Sequence, residues 1–477
     1  MKKLLKKIFC KDKTNMTDLN IFLSDEFQYK LKATASKNSS NRFENALQNY
    51  FNLFFDELSK IQPAKTVDSL KSIISSTKPQ LYEWIDCVYN GLQADIDLYK
   101  DLFKDLIYSY QLFIRGKHYQ ATLHIFDVLE KYNMTDVIEP SELGLYYKGR
   151  TIRSGDITNN HEYYYHIPFD KRFLIGNQRF SYSGQPILYI GSSILDVLYE
   201  LRCDINNYQN IAIASFGYDP LIERSINSTT NRRFEKLKIY DVTNHIYKLI
   251  NETLNNLINQ EGGLPKCDDE GFHPNIKQLK KEFKKFILSQ ICTFKRTHEH
   301  TFIEEYIPAQ ILTEALRING YNGVKFPSTQ FDGKKITNKS ILYHSAIQEN
   351  LALFTKYSNT EQFDIDLMKY FIVNPLNETT ANIKTVDDYK KEIKKLNNDI
   401  TLQSYQRIKS MNNPLTNANM NLGKVHTCES DLLVDGTEYF NLAFARLELL
   451  AQENYLTEIN SKIQNFTNGQ LTMIPIK

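Results

Sequence analysis

Four neighbouring segments contain residue types that can bind a phosphate or stabilise a developing positive charge. Arg179 lies in a glycine-bounded turn, Tyr189 lies on the predicted strand that follows, and Glu200 lies near the far end of the next predicted helix. Because the sequence neighbours of Glu200 are apolar, its carboxylate needs a partner, or its pKa rises. Arginines at the mouth of a strand can supply that partner and can also hold a phosphorylated ligand. The segments are Tyr146–Arg150, His166–Arg172, Gly176–Ser181 and Gly184–Ser193.

These segments lie in the part of the chain where short β-rich runs alternate with helical runs. The mixture predicts an α+β domain over residues 139–375, with a helical insertion at about 244–300. Turn-forming residues bound each predicted strand. The predicted strands are Leu145–Tyr147, Ile187–Ile190, Ile211–Phe216, Leu237–Tyr240, Val324–Phe326 and Ile341–Tyr343. The predicted helices are Ser193–Arg202, His245–Asn259, Leu279–Cys292 and Glu304–Asn319.

Both flanks are predicted to be helical, and neither contains a residue pattern that indicates chemistry. An N-terminal region, 1–138, and a C-terminal region, 376–477, each show apolar residues at helical spacing. Asn41, followed three residues later by Glu44, resembles a capping box at the start of the first helical run, and Thr385 and Asp388 begin a run in the C-terminal region. The helical runs are 43–61, 84–110, 119–129, 385–400 and 438–466.

Composition excludes several classes of protein. The 477 residues include 58 Lys and Arg against 56 Asp and Glu, so no general attraction for nucleic acid or an anionic membrane is expected. No stretch approaches the roughly eighteen apolar residues of a membrane span. The basic N-terminus lacks the apolar core of a signal peptide, and six scattered cysteines lack metal-binding spacing, so a cytoplasmic chain with reduced thiols is expected. His298 and His300 have no third ligand nearby, and no metal site is predicted.

Five segments of the central region occur in a fixed order and keep their internal spacing. Together they resemble the RES-domain family, which is named for a recurrent Arg, Glu and Ser. The resemblance covers about residues 140–375. This sequence departs from the family at Lys148, where the family has the first of two arginines. Lysine keeps the positive charge but lacks the planar guanidinium that can make two parallel hydrogen bonds to a phosphate. The matching segments are Tyr147–Arg150, Asn177–Gly191, Glu200, Glu305–Gln310 and Gly320–Ser328.

The resemblance implies a fold similar to that of the diphtheria-toxin type of ADP-ribosyltransferase and an enzyme that destroys NAD. Characterised RES domains cleave the bond between nicotinamide and ribose, by hydrolysis or by phosphorolysis, as toxins of toxin–antitoxin pairs. The resemblance therefore implies an NAD glycohydrolase or NAD phosphorylase. NAD would be the substrate, no cofactor would be needed, and phosphate would be the co-substrate of phosphorolysis.

The resemblance also implies roles for individual residues. Glu200 would stabilise the positive charge that builds on the ribose as nicotinamide leaves. Tyr189 would lie against the nicotinamide ring or the ribose, and Ser328 would hydrogen-bond the substrate without acting as a nucleophile. Arg179 completes the catalytic set. The residues expected to bind NAD are Lys148, Arg150, Arg179, Tyr189 and Ser328, with the cations on the pyrophosphate.

Two other functions stay open at this point. The enzyme could transfer ADP-ribose to a macromolecule, or the RES-like core could be a non-catalytic binding or scaffold module. For a toxin, the expected protein partner is an inhibitory antitoxin or a regulatory protein. Association into a homo-oligomer is left open, and neither nucleic acid nor a membrane is expected as a partner.

Overall fold

The computed structural model divides the chain into two compact units. One contains the described residues of Met1–Met134 and Asn244–Ile311, and the other those of Thr135–Thr243, Leu312–Ser340 and Ser345–Lys477. We call them the helical unit and the sheet unit. The structure describes residues 19–39, 42–61, 79–138, 140, 143–203, 208–222, 226–227, 232–243, 246, 273–296, 302–329, 336–338, 349–398, 432–434 and 437–467.

Helices are numbered in chain order. They are α1 (Leu19–Leu23), α2 (Asp25–Lys37), α3 (Phe43–Ser59), α4 (Pro79–Ala94), α5 (Ile96–Ile114), α6 (His118–Lys131), α7 (Ile194–Glu200), α8 (His273–Cys292), α9 (Ile307–Ile318), α10 (Ile365–Lys369), α11 (Glu378–Ala381), α12 (Val386–Asn397) and α13 (Ala443–Thr467). Within the described ranges, no helix combines the length and the apolar character needed to cross a bilayer.

The strands are also numbered in chain order. They are β1 (Val137–Ile138), β2 (Tyr146–Thr151), β3 (Ile187–Gly191), β4 (Ile211–Tyr218), β5 (Ile226–Asn227), β6 (Arg232–Arg233), β7 (Ile239–Asp241), β8 (Gly323–Pro327), β9 (Ile336–Asn338), β10 (Glu349–Phe354), β11 (Phe371–Leu376), β12 (Leu432–Val434) and β13 (Thr437–Glu438).

The helical unit packs aromatic faces together. Helix α3 places Tyr50 and Phe54 one turn apart on its buried face, as the periodicity predicts. Phe283 of α8 lies 4.8 Å from the ring of Tyr99 in α5 and 6.2 Å from Phe54. The described part of the segment predicted as an insertion, α8, therefore belongs to the core of the helical unit. The run predicted as one helix from Trp84 is two helices, α4 and α5.

The sheet unit contains an eight-stranded sheet in the order β1-β7-β8-β10-β3-β2-β4-β11. Its paired strands are antiparallel apart from β7 and β8, which are parallel, so the sheet is mixed. Together with its helices this confirms the predicted α+β class. The sequence analysis missed three strands of this sheet, β1, β10 and β11. The strand predicted at Ile341–Tyr343 and the helix predicted at His245–Asn259 fall largely or wholly outside the described residues.

One face of the sheet packs against α7, α12 and α13. This core joins Tyr147 of β2 and Val197 of α7 with Phe444 and Tyr455 of α13. The segment 376–477, predicted as a separate helical region, therefore contributes its described helices to the core of the sheet unit. Thr385, predicted to begin a helical run, caps α12 through a capping box with Asp388. The capping box predicted at Asn41 and Glu44 is wrong, because Arg42 is the N-cap of α3 and its side chain makes no capping hydrogen bond.

The cysteines differ in part from the prediction of reduced thiols. Cys203 and Cys292 form no disulfide bond. Cys87 is disulfide-bonded, so the prediction is wrong at this position. Its partner lies outside the described residues, as do His298 and His300.

Candidate active site

Glu200 is the last residue of α7, and side chains from two strand regions hold one of its oxygens. The hydroxyl of Ser328, which directly follows β8, donates to Glu200 Oε1 at 3.0 Å. The amide of Asn350 in β10 donates to the same oxygen at 3.0 Å. Because both donors use Oε1, Oε2 is the oxygen that can accept a hydroxyl group of a ligand. The Glu200 side chain is exposed, so a ligand can reach it.

The start of α7 is fixed by a buried carboxylate from the C-terminal helix. Ser193 caps the helix by accepting the backbone N–H of Asp196 at 3.0 Å. Glu448 of α13 is fully buried and accepts the backbone N–H of Ile194 at 2.8 Å. The Tyr439 hydroxyl donates to the same Glu448 oxygen at 2.7 Å. Helix α13 therefore helps to position the helix that carries Glu200.

The side of α7 that faces the sheet lies unusually close to Gly149 of β2. A Cβ atom at Gly149 would lie 2.6 Å from Cγ1 of Val197 and 3.0 Å from Cδ1 of Leu201. Distances this short are not tolerated without displacement of the helix. Glycine at this position therefore sets the distance between the sheet and α7.

Burial by the surrounding protein raises the pKa of Glu200. The side chain has an exposed edge, but dense packing around the carboxyl removes much of its hydration. The hydrogen bond from Ser328, the charge of Arg179 and the hydrogen bond from Asn350 oppose this shift. The carboxylate is thus held by neutral donors with a cation nearby. Such an arrangement can stabilise positive charge that develops on a bound ligand.

Arg179 lies at the tip of a tight turn. Gln178 and Ser181 bond to each other's backbone in both directions, at 3.1 and 3.3 Å, and so close the turn. The Arg179 side chain is 8% exposed, and Nη2 donates to the Thr329 hydroxyl at 3.4 Å. Thr329 follows Ser328, so this contact places the guanidinium beside the residue that holds Glu200.

Tyr189 projects from β3 on the same side of the sheet. Its hydroxyl accepts the backbone N–H of Phe180 at 3.2 Å and donates to Ser181 Oγ at 3.5 Å. Its ring meets that of Phe326 edge to face, with centroids 6.4 Å apart. Burial raises the pKa of Tyr189, so the hydroxyl stays neutral. The structure therefore gathers four of the predicted residues around one place: Glu200, Ser328, Arg179 and Tyr189.

Lys148 and Arg150 do not join this group directly. They flank Gly149, which lies on the side of β2 that faces α7. Because successive side chains of a strand point to opposite faces, Lys148 and Arg150 project from the other side of the sheet. Arg150 donates to the carbonyl of Tyr165 at 2.6 Å and lies over the ring of Tyr163. Their binding to the pyrophosphate of NAD stays a prediction.

Lys148 nevertheless approaches the site through the backbone. Its Nζ lies 3.5 Å from the carbonyl oxygen of Tyr189. Burial, and then the charge of Arg150, lowers the pKa of Lys148 to about 7. Its charge therefore changes near neutral pH, which that of an arginine would not do.

Sequence reasoning missed two polar residues of the site. Asn350 lies in β10, and its position among the apolar residues of that strand is the signal that could have marked it. Asp196 lies one turn before Glu200 on α7 and is 2% exposed. The i,i+4 spacing of two acids on an otherwise apolar helix was visible in the sequence.

Comparison with known proteins finds similarity to a bacterial protein. The chain is similar to a protein of Bacillus subtilis (strain 168) named "Putative toxin YopC", with 25% identity over 306 residues. The similarity covers 63% of this chain and 59% of the relative, so the chain matches less than two thirds of the relative's length. No family model matches the sequence. No solved structure matches it either.

Proposed function

We propose that the chain is a RES-type enzyme that cleaves the bond between nicotinamide and ribose in NAD, and that it acts as a toxin. The toxin role is supported by the name of the Bacillus subtilis relative. The NAD-cleaving activity is supported by the residues gathered around Glu200. The fold would then be of the RES type, similar to that of the ADP-ribosyltransferases.

The observation that carries the assignment is the unequal use of the two oxygens of Glu200. Oε1 accepts both Ser328 and Asn350 at 3.0 Å, which fixes the carboxylate. Oε2 can then accept a ribose hydroxyl while the carboxylate as a whole faces the ribose. As neutral nicotinamide leaves, positive charge spreads over C1 and the ring oxygen of the ribose, and a fixed carboxylate stabilises that charge.

The neighbouring groups suit the remaining parts of the substrate. Arg179 can bind the pyrophosphate through its planar fork, and this contact would keep the guanidinium from pairing with Glu200. Tyr189 presents a half-buried neutral ring that can lie against the nicotinamide or the ribose and exclude water from that side. The bond between nicotinamide and C1 of the ribose breaks, and a bond forms between C1 and an oxygen of water or of phosphate.

The test is the conversion of NAD by the purified chain, with and without phosphate. Hydrolysis yields nicotinamide and ADP-ribose, whereas phosphorolysis yields nicotinamide and a phosphorylated ADP-ribose. Glu200→Gln should lower kcat by about a hundredfold or more with NAD binding largely retained, because it removes the charge and keeps the size.

The matched control is Glu453→Gln, which removes a charge that pairs with Lys384 elsewhere in the same unit. It should leave kcat near the wild-type value. Turnover of Glu200→Gln at the rate of this control would show that Glu200 is not the catalytic carboxylate. If the ADP-ribose part of labelled NAD became attached to a protein or a nucleic acid, this would instead favour transfer of ADP-ribose to a macromolecule. Absence of any product from NAD would favour a non-catalytic module.

A further inference from the structure

Asp196 is a buried acid that faces the candidate site, and none of the described residues is a hydrogen-bond partner of its carboxyl group. It is 2% exposed, and neither carboxyl oxygen has a partner within 3.5 Å among the described residues. It lies one helical turn before Glu200, so the two carboxyls project from the same side of α7. A Cβ atom at Gly191 would lie 3.1 Å from Asp196 Oδ2 and 3.3 Å from Asn350 Oδ1, so Asp196 packs beside a residue that holds Glu200.

The charged groups around Asp196 do not neutralise it. Glu349 of β10 is the next acid, and it is paired with Lys325 of β8 at 2.6 Å. Glu448, at the start of α7, is bonded to Ile194 and Tyr439. Among the described residues, the cations that act on Glu200 are Arg179 and Arg202.

Two neighbouring carboxyls, one of them fully buried, cannot both be ionised cheaply. Ionising both would bring like charges together where little water can screen them. The more buried acid therefore keeps its proton: burial and the charge of Glu200 raise the pKa of Asp196 well above its ordinary value, although nearby Ser328 opposes the shift. Glu200, which has an exposed edge and two donors, carries the charge.

The charge distribution also decides where the Ser328 hydroxyl points. Ser328 has one hydrogen to donate and lies close to both carboxyls. A hydroxyl donates preferentially to an ionised acceptor, which gives the stronger hydrogen bond. With Asp196 neutral, Ser328 donates to Glu200. With Asp196 ionised, the two carboxylates would compete for the same hydrogen.

We propose that Asp196 is a positioning residue which stays uncharged in the resting enzyme and so keeps Glu200 the single negative charge of the site, with Ser328 donating to it. This inference rests on the proposed NAD-cleaving function. At alkaline pH Asp196 gives its proton to solvent, Ser328 is shared between two carboxylates, and turnover falls. Asn is isosteric with the neutral acid and cannot ionise, so Asp196→Asn should work as well as the wild type at neutral pH and should not lose activity at alkaline pH.

The experiment combines infrared spectroscopy of the full chain with the pH dependence of kcat for NAD. The infrared absorption of a neutral carboxyl is separate from that of a carboxylate, and carbon-13 labelling of aspartate side chains identifies an aspartic acid. The control variant is Asp219→Asn, because Asp219 is also buried in the sheet unit but is paired with Lys462. Asp196→Leu tests removal of the polar group altogether.

We expect a neutral aspartic acid absorption at neutral pH that is lost in Asp196→Asn and kept in Asp219→Asn. The kcat of Asp196→Asn should stay within about threefold of the wild type at neutral pH and lack the alkaline decline, whereas Asp196→Leu should lose about tenfold or more. Absence of the neutral acid absorption from the wild type would overturn the inference. So would a hundredfold loss of kcat in Asp196→Asn. If the chain does not consume NAD, the proposed function fails, while the infrared spectrum of the wild type still decides the charge of Asp196.

Discussion

At the scale of single residues, two of the three cations predicted to bind the pyrophosphate, Arg179 and Lys148, have different surroundings. Arg179 is buried in a closed turn, and its guanidinium donates to the Thr329 hydroxyl. Lys148 lies on the other side of the sheet, where burial lowers its pKa to about 7. If both bind NAD, only the contribution of Lys148 should depend on pH near neutrality.

Substitutions that exchange the two residue types separate these contributions. Arg179→Lys should raise the KM for NAD by about tenfold or more at all pH values, because the planar fork is lost. The KM of the wild type should rise as the pH passes upward through about 7, since Lys148 then loses its proton. Lys148→Arg should remove that rise and lower the KM above pH 7. Steady-state kinetics across this range measures both effects. A wild-type KM that is constant over the range would contradict a role for Lys148 in binding.

At the scale of elements, the site depends on how closely α7 approaches the sheet. Gly149 allows this approach, and Glu448 of α13 fixes the start of the helix. The periodicity of the sequence predicted α7, β2 and β3, and with them the general positions of Glu200 and Tyr189. It could not predict the close contact at Gly149, because that contact depends on a helix and a strand that are separated in sequence.

Gly149→Ala tests the role of this contact. The new methyl group would lie 2.6 Å from Val197 Cγ1, so α7 should shift outward and carry Glu200 away from Ser328 and Asn350. We expect a loss of about 1–3 kcal/mol in stability and a lower kcat for NAD. The matched control is Gly176→Ala, because a Cβ atom there meets nothing within 4 Å. Thermal unfolding and kcat should change little in the control. Equal kcat values for the two variants would show that the distance of α7 from the sheet does not set the geometry of Glu200.

At the scale of the whole chain, the sequence predicted the helical and mixed regions but not the way in which they assemble. Helical spacing marks an apolar face without showing what covers it. The C-terminal runs were therefore assigned to a separate region, although α13 packs into the sheet unit. Strand β10 was missed for a related reason. Its pairing with β3 and β8 is nonlocal, and its first residues, Glu349 and Asn350, are polar.

The packing of α13 on the sheet gives a direct prediction. The ring of Tyr455 lies over Gly217 of β4, where a Cβ atom would come within 2.2 Å of it, and the Tyr455 hydroxyl donates to the carbonyl of Tyr218 at 2.6 Å. Tyr455→Ala should therefore lower the free energy of unfolding of the sheet unit by about 3–5 kcal/mol, as for other large aromatic residues removed from a core. Tyr455→Phe keeps the ring and should cost about 1 kcal/mol for the lost hydrogen bond.

Chemical denaturation followed by circular dichroism measures both changes, with Thr457→Ala as the control because Thr457 is exposed on the same helix. Helix α13 also supplies Glu448 to the start of α7. Loosening its contact with β4 should therefore lower kcat for NAD more in Tyr455→Ala than in Tyr455→Phe, even under conditions in which both variants are folded. A stability of Tyr455→Ala equal to that of the Thr457→Ala control would show that α13 is not part of the folded core. In that case the segment 376–477 would be a separate helical region, as its sequence alone suggests.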